Sequence, residues 1–488
     1  MRPIRPIGPK GLLLLFVLAA AAFAADVTWD TIIRLTTSSA GQITGSGGQH
    51  SVAVDAGGNV HVAWLGQDTV PYQVFYRRYD TGTRTWQPET MLTSRRANCF
   101  QPGVGCDSAG DVHVLWHVGT WPDCGIWAKR YNAATHHWRA DTLIDSTTTS
   151  QPQYYPSVMS VPGTGDVAVA WSGAPDTGGL PQVIFKEWNQ SSGWDSAMQV
   201  TAAPVVHDQV SVATDKNGDV AVIWRGMDIG GNPNQVCCRR RVAGAWQDVE
   251  LVSDLPGGLA QYSPCVAIDR SGVVHVVWYG MSGSSFYRQV FHRERDTLGW
   301  SGTDSIGGTR AYQQQFPSIA CDAVGRCHAV WCSQAGGTNY QLAYAQRDTN
   351  GAWSSPMILT GLDSGSVSHP SITCDAGSGI HIVWYDNSSG NQDVYYLHGV
   401  TPGLGVKEGR KTPDALRLTP NATVVRNSLV ILQSATYNLQ SEIVLLDASG
   451  RRIASLVPGP NDVRGLPVGV YFIVRQSAVR PSTVIILN

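Results

Sequence analysis

The chain has 488 residues, enough for two or three ordinary domains or for one large all-β body with an appendage. Lys plus Arg number 35 against 37 Asp plus Glu, so no net field draws the protein to nucleic acid or to an anionic membrane, and neither is expected as a partner. Only 15% of residues are charged while Gly (52) and Trp (17) abound, which suits many short strands joined by tight turns and excludes a mainly helical body.

Residues 1–24 have the form of a signal peptide: Arg2, Arg5 and Lys10 precede the apolar run Gly11 to Ala22, and Ala22-Phe23-Ala24 supplies small residues for cleavage before Ala25. No later stretch approaches the ~20 apolar residues of a spanning helix. A secreted or surface-attached mature chain without a transmembrane segment is expected.

From residue 25 to 403 one unit repeats. Its marker is an apolar strand ending in Trp, at Trp64, Trp116, Trp171, Trp224, Trp278, Trp331 and Trp384, with steps of 52 to 55 residues. Nine positions earlier stands Asp in six units (Asp55, Asp107, Asp215, Asp269, Asp322, Asp375), and six positions earlier stands Gly in six. Asp accepts hydrogen bonds from the N–H groups that follow it and Gly tolerates positive φ, so both mark a tight turn between two strands. Each unit reads as four strands, the first two apolar at nearly every position and hence buried on both faces. Such units, packed side by side, make a seven-bladed β-propeller.

A second Trp opens the fourth strand at Trp86, Trp138, Trp194, Trp246, Trp300 and Trp353, but the seventh unit stops after its third strand, 393–398. The missing strand is found at the start of the mature chain, where Trp29 to Thr36 repeats the pattern of Trp86 to Thr93. Pairing it with the last blade closes the ring and leaves no inner sheet edge open.

After a charged linker, 404–411, alternating stretches at 428–432, 443–447 and 470–474 predict a small C-terminal β-sandwich over 412–488. Within it, Leu446-Asp447-Ala448-Ser449-Gly450-Arg451 followed by Gly469-Val470-Tyr471 resembles the C-terminal sorting domain of type IX secretion cargo. That resemblance implies export through outer-membrane secretion machinery of a Gram-negative-type envelope and release or attachment at the cell surface.

The ten cysteines are irregularly spaced. Several replace Val or Ile of the repeat and read as core residues, while Cys321 with Cys327, and Cys99 with Cys124, are placed to pair in an oxidising compartment. The His three positions before the marker Trp (His61, His113, His275, His328, His381) lies mid-strand, where one backbone hydrogen bond would satisfy it. No Cys/His spacing matches a zinc site and one carboxylate per turn is too few for calcium, so no metal and no cofactor is expected.

The repeat resembles those of sialidase-superfamily and other bacterial repeat propellers. A sialidase-like exo-glycoside hydrolase would need an arginine clamp, a Tyr nucleophile and an acid. Arg95, Arg225, Arg310, Tyr279, Tyr385 and Asp386 are the scattered candidates, and none is expected to be catalytic. Topology puts the longer loops, between strands two and three and from strand four to the next blade, on one face, where a rigid scaffold carries its binding residues. The expected ligand-binding rim is His50, Gln101, Tyr155, His207, Tyr262, Phe316 and His369, with Trp121, Asp123, Asp176, Asp228 and Asp386 further out. Ring faces stack on sugar C–H surfaces and amide, imidazole and carboxylate groups meet hydroxyls. A monomeric protein that binds a glycan or another surface polymer is the leading expectation; the hydrolase and a non-catalytic protein-interaction scaffold are the alternatives.

Overall fold

The computed structural model describes residues 27–401, apart from 46–47, 49, 68–70, 120–123, 146–152, 163, 175–178, 228–233, 256–258, 284, 309–310 and 336, together with the strands between 422 and 486. The expected signal peptide 1–24, the expected linker 404–411, the expected rim residues Trp121, Asp123, Asp176 and Asp228, and the clamp candidate Arg310 lie outside the described residues.

Seven antiparallel sheets form the ring, as the repeat predicts. In blade 2 the strands run Cys99–Cys106, Val112–Val118 and Gly125–Asn132 outward from the axis, and the fourth is reduced to two short pieces, His137–Trp138 and Thr142–Leu143, paired with the third. The expected continuous outer strand is thus interrupted, which blunts the only edge each blade shows to solvent. Closure is as read from the sequence: Thr28–Trp29 and Ile33–Arg34 pair with the last propeller strand, Asp393–Val400, in the registers Trp29↔Gly399 and Ile33↔Tyr396.

The core is divided into seven wedges, each between neighbouring blades. Trp116 packs with Leu65, Val74 and Tyr76 of blade 1, Trp224 with Ala170, Val183 and Phe185 of blade 3, and Trp64 with Val383 and Val394 of blade 7. All seven marker Trp side chains are buried, and truncating one to Ala would cost about 3–5 kcal/mol. Three of their indoles donate to a Gln on the innermost strand of their own blade: Trp64 to Gln42, Trp171 to Gln153 and Trp278 to Gln261.

The Asp/Gly turns are formed as their chemistry requires. Asp55 Oδ1 accepts the N–H of Asn59 at 2.9 Å, Asp322 Oδ1 that of Arg326 at 2.9 Å, and the following Gly58 and Gly325 sit at φ +79° and +87°. Blade 7 lacks the Gly, and Ser378 takes its place at φ +65°. The recurring histidines are satisfied differently from expectation: in blades 1, 6 and 7 each bridges the turn Asp of its own blade and a Tyr of the third strand, and not the backbone. His61 meets Tyr76 Oη at 2.7 Å and Asp55 at 3.2 Å; His328 meets Tyr344 at 2.8 Å and Asp322 at 3.4 Å.

The C-terminal unit is separate. It holds one five-stranded sheet, in which Ala422–Val425 pairs parallel to Ser482–Ile486, and one two-stranded sheet of Ser428–Ile431 and Gly459–Asp462.

Candidate functional site

Each innermost strand carries a bulge, and the bulge builds the loop-face mouth. In blades 2 to 7 the register skips opposite the marker Trp, so that two residues face one. The first residue of each bulge is left-handed: Gln101 (φ +48°), Tyr155 (+54°), Gln209 (+52°), Ser263 (+43°), Phe316 (+55°) and His369 (+46°), with His50 (+58°) at the matching place in blade 1. A side chain in this conformation costs of order 1 kcal/mol or more, a strain that concentrates where a fold aims residues at a site. Five of the predicted rim residues, His50, Gln101, Tyr155, Phe316 and His369, therefore occupy equivalent positions, while Gln209 and Ser263 hold the places in blades 4 and 5. His207 stands two residues ahead of the bulge and Tyr262 one, a shift that strand-boundary reading could not resolve.

Just beyond the bulge, the residue after the marker Trp faces its cross-strand partner, and these pairs vary where the strand around them is uniform. They are His117↔Phe100, Ser172↔Tyr154, Arg225↔Asp208, Tyr279↔Tyr262, Cys332↔Gln315 and Tyr385↔Ser368. Bulge residues and pairs join into two arcs. The longer crosses blades 4 to 7: the Arg225 guanidinium lies 5.3 Å over Tyr262, Tyr262 stacks on Tyr279 at 5.4 Å, Tyr279 meets Phe316 edge-on at 5.6 Å, Phe316 stacks on His369 at 4.1 Å, and His369 on Tyr385 at 5.6 Å. The shorter links Phe100, His117, Tyr154 and Tyr155 across blades 2 and 3 at 5.3, 5.4 and 6.2 Å, and Gln101 hydrogen-bonds the Tyr155 hydroxyl.

Blade 1 supplies the floor. Its inner strand is split into Gln42–Ile43 and Val52–Val54, and Gly48 lies between the two pieces. Gly48 is buried there: its carbonyl accepts the Ser157 hydroxyl of blade 3 at 2.7 Å, and a Cβ on it would fall 2.9 Å from Ser211 and 3.1 Å from the Pro264 carbonyl. His50 is buried with its carbonyl accepting from Val104 N–H, and its imidazole, driven down to about 4 by burial, stays neutral. It lines the floor and not an open rim. His207 is likewise buried, packed edge-on against Trp224.

Charge collects at blades 4 and 5. Arg225 Nε donates to Asp208 at 2.7 Å. Arg288, from the loop between the second and third strands of blade 5, lies 5.6 and 5.7 Å over Tyr262 and Tyr279 and has no ion-pair partner among the described residues. Beside it Phe286 is 89% and Tyr287 42% exposed. Burial holds the Tyr279 phenol above its ordinary range, and its neighbours are Arg288, Ser263, Tyr262 and Arg225. Arg95, a candidate clamp residue, lies elsewhere: it pairs with Asp141 at 2.9 Å and stacks 3.4 Å over Trp127. Sequence reading missed Arg288, Phe286, Tyr287 and the Phe100–His117–Tyr154 arc. The signal available for the arc was divergence at one strand position within otherwise uniform repeats.

No family model matches the chain, and no curated protein matches it. Solved structures do. The polysaccharide lyase Uly1 matches with a TM-score of 0.52 at 10% identity over 76% of this chain and 99% of that one. A fungal alcohol oxidase of the AA5 family, in complex with copper, matches with 0.52 at 14% identity over 94% and 99%. A leech intramolecular trans-sialidase matches with only 0.40 at 10% identity over 73% and 68%. The first two likenesses establish a shared fold, and because they join unlike chemistries on one scaffold, function must be argued from the site.

Proposed function

We propose that the protein binds a polysaccharide across the loop-face mouth, as a secreted or cell-surface binding protein. The observation that carries this reading is the unbroken aromatic arc from Tyr262 to Tyr385 over a floor closed by Gly48 and His50. Such an arc offers stacking faces to successive sugar rings, while Gln101, Asp208 and Ser368 offer hydrogen bonds and Arg288 offers a cation to a carboxylate or sulfate. The occurrence of a polysaccharide lyase on the same fold is in keeping with it. Binding is favoured over glycoside hydrolysis because burial holds the Tyr279 phenol above its ordinary range, against the pull of Arg288 and Arg225, and so away from the phenolate a nucleophile needs. Export belongs to the same proposal, through residues 1–24 and the sorting-domain resemblance at the C-terminus.

The test is titration of the mature chain with a panel of neutral and acidic polysaccharides. Retention of at least one, weakened about tenfold or more by Tyr262→Ala and by Arg288→Ala and returned with its chain length unchanged, is the expected result. Absence of any binding, or progressive shortening of the polymer, would overturn the reading.

A further inference from the structure

Blade 5 departs from the Asp–His–Tyr bridge: His292 stands where blades 1, 6 and 7 have Tyr, and its Nε2 lies 3.2 Å from His275 Nδ1. The other nitrogen of His292 accepts the indole N–H of Trp353 at 3.2 Å. The same nitrogen lies 3.6 Å from Asp304 Oδ2, and His292 Nε2 occupies His275 Nδ1. Against its burial, the Cys327 thiol and the Asp269 carboxylate, 3.6 Å from Nε2, raise His275 to about 9, so its buried Nε2 carries a proton. With Nδ1 engaged, Nε2 is the nitrogen left for two thiols: one donor atom each from His275, Cys321 and Cys327 lies within 4.8 Å of the others. A ring that presents N–H instead of a lone pair is a poor metal ligand and a good partner for a thiolate.

The two thiols are placed to join. Cys321 ends one strand and Cys327 begins the next, directly opposed. The adjacent rung is hydrogen-bonded, Asp322 N–H to Arg326 O at 2.8 Å, so the Cys rung is of the other kind, with Cα atoms about 4.5 Å apart, within disulfide range. At the place of Cys327 the other six blades carry Val or Ile. Cys321 is half-buried and Cys327 buried. Burial alone would raise the Cys327 thiol, but the Cys321 thiol and the His275 ring hold it below its ordinary range, while burial and the shared proton push Cys321 up.

We propose that Cys321 and Cys327 are a disulfide-forming pair across the inner hairpin of blade 6, with Cys327 as resolving thiolate and His275 as its positioning residue. The oxidant is a small or protein disulfide. Cys321 Sγ, on the less buried residue of the pair, attacks one oxidant sulfur, losing its proton to solvent and releasing one thiolate; Cys327 Sγ then attacks Cys321 Sγ and releases the second. Two thiols and one disulfide become one disulfide and two thiols.

The folded full chain is incubated with oxidised glutathione, alkylated after denaturation and digested with trypsin without reduction. Cleavage after Arg326 leaves the two halves of the hairpin joined only through sulfur. The expected result is the joined pair, lost in Cys321→Ser and in Cys327→Ser, with the rate of its formation at neutral pH falling about tenfold or more in His275→Gln and its pH profile moving upward. His292→Tyr, which restores a hydroxyl to His275 Nδ1, is expected to keep the wild-type profile. Two freely alkylated thiols, zinc held by the pair in the purified protein, or a pH profile unmoved by His275→Gln would each overturn the proposal.

Discussion

His381 Nε2 stands 3.3 Å from Asp375 Oδ2 while its Nδ1 meets the Tyr396 hydroxyl at 2.8 Å, so one imidazole ties the first turn of blade 7 to its third strand. Blade 4 has the same Asp turn without the histidine, because Ala221 stands in its place. Among the described residues the Asp215 carboxylate makes only the turn bonds, from the N–H groups of Asn217 and Asp219 and the Asn217 side chain. Asn can still accept those backbone bonds, but it cannot supply a carboxylate to a buried imidazole. Asp375→Asn should therefore destabilise more than Asp215→Asn, by about 1–2 kcal/mol in urea unfolding. Equal effects would mean that the histidine adds nothing to the turn.

Acid should weaken the propeller through histidines that cannot charge in place. Burial lowers His117 to about 3 and His369 to about 4, and does the same for His50 and His292 against opposing hydrogen bonds. In the unfolded chain these rings protonate near their ordinary 6.5, so below that pH the unfolded state binds more protons and stability falls until the folded rings titrate near 4. The turn carboxylates act lower: His381 and the backbone hold Asp375 at about 2 despite burial, a contribution intact above pH 4 and lost as pH falls through 2. The melting temperature should thus decline steadily from pH 7 to 4. His117→Phe, which keeps the stacking on Phe100 and Tyr154, should flatten that decline, each abolished pH unit being worth about 1.4 kcal/mol.

Ring closure depends on a close fit between Trp29 and Gly399. A Cβ on Gly399 would fall 2.6 Å from the Trp29 ring, which packs edge-on against Tyr344 at 4.9 Å. Further along the closing strand, Arg34 and Thr36 hold the buried Asp393 at 2.7 and 2.9 Å. Trp29→Ala should cost about 2–4 kcal/mol and Gly399→Val a comparable amount. In the double variant the clash has no object, so its cost should fall well below the sum. Strict additivity in denaturant unfolding would show that the N-terminal strand is not seated on the last blade.

The fold was legible because its signals are local and repeated: the Asp/Gly turns, the marker Trp, and the displaced Trp29 strand each follow from residue chemistry at fixed spacing. The mouth was legible only in part. Gln101, Phe316 and His369 stand 15 residues before their marker Trp, as Gln209 and Ser263 do, so holding that spacing finds the last two, whereas reading back from the apparent start of the first strand gives His207 and Tyr262. The histidine partners escaped for another reason. Which third-strand residue lies beside His61 is set by register between strands, and Tyr76 becomes its neighbour only once the sheet is formed. Arg288 is silent in sequence because a loop arginine gains meaning only from the rings beneath it.

The floor of the mouth sets a limit on substitution at the axis. A methyl group on Gly48 would stand 2.9 to 3.1 Å from Ser211, the Val210 carbonyl and the Pro264 carbonyl. Two of the three are backbone atoms of innermost strands that cannot give way cheaply. Gly48→Ala should lower stability by about 1–3 kcal/mol, although Ala normally gains on Gly through the unfolded state. A stabilising effect in thermal unfolding would place Gly48 outside the axis.

At the bulge of blade 6, backbone and side chain make opposing demands. Phe316 is held at φ +55°, a conformation that glycine adopts freely, yet its ring bridges Tyr279 and His369 in the middle of the longer arc. Removing the ring loses the same contacts whether Ala or Gly replaces it, but only Gly also releases the strain, by about 1 kcal/mol. Phe316→Gly should therefore be more stable than Phe316→Ala, the reverse of the usual order in a strand. Both should bind polysaccharide equally poorly, since the stacking face is absent from each. Should Phe316→Ala prove the more stable in denaturant titration, the left-handed bulge is not a fixed feature of the strand and the geometry of the arc built on it fails.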